Sequence, residues 1–159
     1  MTLWRYIWYN IGTVKEMVYT IDKFDGEYAF LSNFYESPIK YKGNIFGSAE
    51  AAFQAQKCQN STLIKSFCRL SPSESKRKGR HVALRKDWEA VKDGIMYDIV
   101  LSKFSQNETL KYKLLSTGSE ELVEGNWWKD TYWGVCNGVG ENKLGHILME
   151  VREKLSQSG

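Results

Sequence analysis

The chain has 159 residues, 42% hydrophobic and 26% charged, with a net charge of +3. That length suits one soluble domain with one core, and no stretch approaches the ~18 uninterrupted apolar residues of a membrane span. The mild positive charge falls short of the dense basic stripe of a dedicated nucleic-acid binder, and three widely spaced cysteines with two distant histidines match neither a disulfide framework nor a metal knuckle.

The apolar run over 1–14 is broken by Arg5 and Asn10 and is followed by no small-residue cleavage pattern, so it is not a secretory signal. A reducing, cytoplasmic setting is expected, with no metal and no cofactor. Residues 1–16 are rich in Trp and Tyr without a period and end at Met17, so they are expected to be an extension preceding a domain over 17–159. Residues 18–24 permit a strand, and FLSNFY over 30–35 has the look of an aromatic loop. Residues 39–46 alternate on both sides of Gly43-Asn44, a hairpin pattern.

Helical periods follow. Ser48 is placed to cap a helix running to about Gln59, with Glu50 in its first turn, and a short helix is expected over 62–69. Ser71-Pro72-Ser73-Glu74 is a capping box with proline at the first helical position, opening a helix that ends near Gly79. The longest helix is expected over 87–104, where Val91, Ile95, Ile99 and Val100 recur at helical spacing. Asn107 caps another that stops at Thr117-Gly118, an extended piece covers 121–124, and a glycine-rich loop fills 125–140. A last helix over 142–155 buries Leu144, Leu148, Val151 and Leu155. The fold expected is mainly α, one helical domain with a small β-hairpin or short strands near the N-terminus.

Three sets of residues are able to carry chemistry. Glu50, Gln54 and Lys57 fall within about 30° of one line on their helix, beside the small Ala51, Ala52 and Ala55; a solvated face with a modest ion pair has the same pattern. The segment Asn126-Trp127-Trp128-Lys129-Asp130-Thr131-Tyr132-Trp133-Gly134 is too aromatic for an ordinary loop and suits a pocket wall, or an Ω-loop packed on itself. The run Lys76-Arg77-Lys78-Gly79-Arg80 suits phosphates, or simply a solvated helix end. Trp88 directly after it is suited either to stacking on a base or to anchoring the long helix.

Taken in order, FLSNFY, the helix SAEAAFQAQK ending at Lys57, Trp88 with Val91-Lys92, Lys103-Phe104, Leu122-Val123-Glu124, Asp130-Thr-Tyr-Trp-Gly134 and Asn142-Lys-Leu-Gly145 resemble the NADAR (YbiA-like) superfamily over residues 24–155. The resemblance implies a mainly helical fold and N-glycosidase activity, on ADP-ribose attached to guanine or on phosphoribosylated intermediates of riboflavin synthesis. Its partners are then a small nucleotide or an ADP-ribosylated nucleic acid, with no membrane and no stable protein partner. It implies Glu50, Lys57 and Asp130 as catalytic candidates. Asn33, Phe34, Gln54, Trp88, Tyr132, Trp133, Gly134 and Asn142 become pocket residues, and Arg77, Lys78 and Arg80 phosphate holders.

Two mechanisms fit that set: attack by a neutral Lys57 amine giving a Schiff base, or a pair of carboxylates without a covalent lysine. The chain departs from the riboflavin-type pattern at Ala51-Ala52, where a tyrosine commonly follows the glutamate, and at Trp127-Trp128. A reader module that binds ADP-ribose or NAD without turnover is the alternative from another class.

Overall fold

The structure, a computed structural model, describes residues 7–8 and 17–158, with side chains from residue 18 onward. It is mainly helical, with only two-stranded ladders among the described residues. β1 (Ile7–Trp8) pairs antiparallel with β2 (Met17–Val18); the rest of the extension expected over 1–16 lies outside the described residues. The strand expected over 18–24 is shorter. β3 (Thr20–Ile21) runs parallel to residues 121–122, setting Ile21 against Leu122 in the core. FLSNFY is only partly loop, because a 3₁₀ helix (Gly26–Leu31) buries Phe30 and Leu31 before the chain turns.

β4 (Glu36–Tyr41) and β5 (Asn44–Ser48) form the expected hairpin, with Ser37, Ile39 and Tyr41 turned inward. Its turn is Lys42-Gly43 rather than Gly43-Asn44: these two residues have φ of 46° and 80°, while Asn44 already pairs with Tyr41. A two-residue hairpin turn of the primed type needs positive φ at both central positions.

α1 (Ala49–Ala55) starts where Ser48 Oγ accepts the Ala51 amide at 3.1 Å, a cap worth about 1 kcal/mol. All of α1 is buried. It ends before the expected Gln59 because the next amides bond three residues back, Lys57 N to Gln54 O at 3.2 Å and Cys58 N to Ala55 O at 3.1 Å, tightening the last turn. α2 (Ser61–Lys65) is likewise shorter than expected and is capped by Asn60. α3 (Pro72–Gly79) carries the capping box in full, Ser71 Oγ accepting from Glu74 N at 3.2 Å and Glu74 accepting from Ser71 N at 2.8 Å.

α4 (Trp88–Gln106) is the central element. It packs against α1, β4, α5 (Glu108–Ser116) and α6 (Lys143–Gln157) through Ile95, Met96, Ile99, Val100 and Phe104. α6 buries the expected stripe of Leu144, Leu148, Val151 and Leu155. Between α5 and α6 lie β6 (Glu121–Leu122), β7 (Gly125–Asn126) and β8 (Val135–Cys136). β7 and β8 are parallel, so the loop expected to be irregular makes a closed circuit. Among the described residues, no helix is long and apolar enough to cross a membrane.

Candidate active site

Where α1, the turn after the 3₁₀ helix, α3, α4 and the aromatic loop converge, they leave a cavity of about 450 Å³. Glu50 and Gln54 enter it from consecutive turns of α1, Asn33 and Phe34 from the turn, Lys76 from α3, and Asp130 and Trp133 from the loop. Glu124, between β6 and β7, completes its polar lining. Phe53, Met96 and Leu144 supply apolar wall, and Trp127 and Trp128 stand edge to face at the mouth with ring centres 5.8 Å apart. Trp127 is 84% exposed.

The polar groups differ in how they are held. Glu50 is buried and its Oε1 accepts from Gln54 Nε2 at 2.9 Å. Burial pushes the Glu50 carboxyl above its ordinary range, against the Gln54 bond and the charges of Lys76 and Lys57. Glu124 is pushed up to about 7, first by burial and then by Asp130 and Glu50, and its Oε2 is buried without a hydrogen-bond partner. Asp130 turns its Oδ1 back to accept the amides of Tyr132 at 3.1 Å and Trp133 at 2.9 Å.

The loop is pinned from outside the cavity. Asn126 accepts from Asp130 N at 3.0 Å and donates to Asp130 O at 2.7 Å. Tyr132 donates to Asp93 on α4 at 2.6 Å, and Lys143 of α6 meets the same carboxylate at 2.7 Å. Asn142 holds the near end, accepting from Glu124 N at 3.0 Å and donating to Leu122 O at 2.9 Å. Gly134 is obligatory because a Cβ there would collide with the Glu124 carbonyl.

The NADAR domain family pattern matches residues 20–156. This chain belongs to the NADAR family. It is 41% identical over 134 residues to the N-glycosidase YbiA of Shigella flexneri, covering 82% of this chain and 83% of that one. It is 38% identical over 137 residues to the riboflavin biosynthesis protein VVA0006 of Vibrio vulnificus, covering 84% of this chain and 37% of that one. The NMR structure of Escherichia coli YbiA superimposes with a TM-score of 0.78 at 38% identity, covering 87% of this chain and 86% of that one.

Of the residues singled out in the sequence, this NADAR domain brings Asn33, Phe34, Glu50, Gln54, Asp130 and Trp133 to the cavity. Arg77 and Arg80 line a neighbouring hollow of about 320 Å³ that shares Phe34, Lys76 and Trp128 with it. Others lie elsewhere. Lys57 is not part of the lining: its Nζ lies 3.4 Å from the Gly79 carbonyl and 5.9 Å from the Trp88 ring centre, near enough to Glu50 to act on its charge, and its pKa is lowered mainly by burial. Trp88 is buried against Phe53 at 5.1 Å, an anchor for α4 rather than a stacking surface.

Lys78 reaches Ser66 and the Phe67 ring instead of the hollow, because one residue along α3 turns a side chain by about 100°. Tyr132, Gly134 and Asn142 support the wall from behind. Two cavity residues were named in the sequence within longer segments without being assigned to the pocket. Lys76 opens the basic run but is the member that faces Phe34 and Trp128, at 5.4 Å and 5.6 Å. Glu124 closes the Leu122-Val123-Glu124 motif of the resemblance, but nothing in that motif turned the acid toward the pocket.

Proposed function

We propose that this enzyme, a hydrolase of N-glycosyl bonds, cleaves the bond between a ribosyl carbon and a base nitrogen in a phosphorylated nucleotide-like substrate. The observation that carries the reading is the polarity of the cavity: three carboxyl groups, Glu50, Glu124 and Asp130, face one space, while Lys76 sits at its border with Arg77 and Arg80 beyond. Breaking a ribosyl C–N bond builds positive charge on the sugar carbon and negative charge on the departing nitrogen. Carboxylates offset the first, and the cationic hollow suits the phosphate at the other end of the sugar.

Glu50 and Asp130 are the groups we assign to the sugar and the attacking water. Trp133 and the exposed Trp127 and Trp128 offer faces to the base. The carboxylate route is favoured over the Schiff-base route because the Lys57 amine already faces the Gly79 carbonyl. Borohydride added during turnover is expected to leave the intact mass of the protein unchanged; an adduct on Lys57 would restore the covalent route. The free state of Cys58, Cys68 and Cys136 agrees with a cytoplasmic enzyme.

Both substrate types remain within the reading: ADP-ribose on guanine, as nucleoside or nucleic acid, and phosphoribosylated aminopyrimidines of riboflavin synthesis. The test incubates the purified chain with each and follows the released sugar phosphate by mass spectrometry. Release from the first assigns reversal of nucleic-acid modification, and release from the second assigns metabolite clearance. Tight binding of ADP-ribose without release from either would replace the enzyme with a reader.

A further inference from the structure

We propose that Glu124 is the acid that hands a proton to the departing nitrogen, with Lys103 as a positioning residue that holds the turn beside the cavity. The proposal rests on the N-glycosidase reading and adds a catalytic residue to it. The three carboxyl groups of the cavity are distinguished by what holds their oxygens. Asp130 Oδ1 accepts two backbone amides, and Glu50 Oε1 accepts from Gln54. Glu124 Oε2 alone is sealed from solvent with no donor. A bare carboxylate oxygen in that position is costly, whereas a protonated carboxyl tolerates it and has a proton to give.

The backbone of Glu124 is pinned to match. Its N–H is held by Asn142, and its carbonyl accepts Val135 N at 2.9 Å and Asn126 Nδ2 at 3.4 Å. Such support is what keeps a reacting group in register with its substrate. The charged groups that act on Glu124 come from four elements: Asp130 in the loop and Glu50 on α1 hold its proton on, while Lys76 on α3 and Lys103 on α4 favour its loss. Lys103 is 2% exposed, hydrogen-bonds the Ser32 carbonyl at 2.9 Å and lies against the rings of Tyr35 and Phe104. It therefore ties down the turn that carries Asn33 and Phe34 and also helps to balance the charge left after Glu124 has reacted.

In the step itself the C–N electron pair stays with the nitrogen, which takes the Glu124 proton and leaves as a neutral base. The electron-poor sugar carbon takes the oxygen of a water molecule. The proton shed by that water restores Glu124, directly or through Glu50, so that one water is consumed per turnover.

The test compares the wild type and Glu124→Gln on two substrates, a phosphoribosyl aminopyrimidine, whose leaving nitrogen must be protonated, and nicotinamide mononucleotide, whose pyridinium leaves neutral without a proton. The variant is expected to lose about 10²-fold or more in kcat on the first, with little change in KM, and far less on the second. Wild-type rates on the first should fall as pH rises through about 7, a limb absent from the variant. Lys103→Met should move that limb upward, since a charge favouring proton loss is gone. Glu124→Gln within about threefold of wild type on the aminopyrimidine overturns the proposal. Equal losses on both substrates, or a wild-type profile without the limb, overturn it also. Where the wild type acts on ADP-ribosylated guanosine instead, that substrate takes the place of the aminopyrimidine, and a wild type that cleaves none of the three overturns the N-glycosidase reading along with the proposal.

Discussion

Helix α1 and the loop over 125–142 line the same cavity, and each delivers a carboxyl group to it, Glu50 from the helix and Asp130 from the loop. The helix does so by periodicity. Its backbone bonds are internal, Ser48 fixes its start, and Glu50 and Gln54 share a face because they are one turn apart. The loop has no period. The Asn126 and Asp130 side chains bond its backbone, the Asn142 side chain ties its C-terminal end to residues 122 and 124, and Lys129, Asn137 and Asn142 hold positive φ of 65°, 52° and 51°. The loop has backbone bonds too, Val135 N to Glu124 O and Glu141 N to Thr131 O among them, but it adds side-chain bonds that α1 does not need, and the loss of one side chain therefore costs the loop more.

Substitutions on the two walls should therefore separate chemistry from stability. The largest effect is expected on the helix: Glu50→Gln should lower kcat by about 10²–10⁴-fold, while urea unfolding shows stability equal to or above wild type, since a buried charge is removed. A near-normal rate would take Glu50 out of the chemistry. On the loop, Asn142→Ala strands the Glu124 amide and the Leu122 carbonyl, at about 1–3 kcal/mol each, so the urea midpoint should drop sharply. Asn142→Gly keeps the backbone angle easy and loses the same bonds. A comparable drop in both variants assigns the cost to bonding rather than strain.

A further effect, at most about 3–5 kcal/mol for each group, concerns pH and the ground beneath both walls. Glu124 is raised from 4.5 to about 7, so the native state holds a proton that the unfolded chain has lost, and stability falls as pH rises across that window. Lys103 is lowered by burial from 10.5 to about 7, so below about 7 it is charged in both states and pays for burial, and stability recovers as pH rises from there toward 10.5. Together they set a minimum near pH 7, visible in urea midpoints across the range. Lys103→Met should erase the alkaline recovery, and an unchanged profile would assign it to other groups. The smallest effect is expected for Tyr132→Phe, which gives up the bond to the half-exposed Asp93 for about 1 kcal/mol or less.

The same contrast explains what the sequence disclosed. Caps and periods are local, so the Ser71 capping box, the α4 core face and the α6 stripe were all legible, and Glu50 with Gln54 could be placed on one face. The early end of α1 was not, since it depends on amides choosing carbonyls three residues back, and with it went the direction of Lys57. In the loop, Asp130 and Trp133 carried a recognisable motif, but the parallel pairing of β7 with β8 brings together residues whose relation is set by the circuit between them. Glu124 became visible as a site residue only once that circuit closed around it. Trp88 and Lys78 illustrate the remaining ambiguity: an aromatic or a cation beside a pocket motif has no sign in the sequence for which way it points.

The indole pair at the cavity mouth has an optical consequence. Trp127 stands almost wholly in water and touches Trp128 edge to face, while Trp133 lies deeper against Phe53 with ring centres 5.4 Å apart. Water-bathed and sheltered indoles emit at different wavelengths, so a base reaching the outer pair before Trp133 would quench the red side of the emission band first and the blue side after it. The protein thus carries its own spectral gauge of occupancy, one able to follow the arrival and departure of a nucleotide without any label.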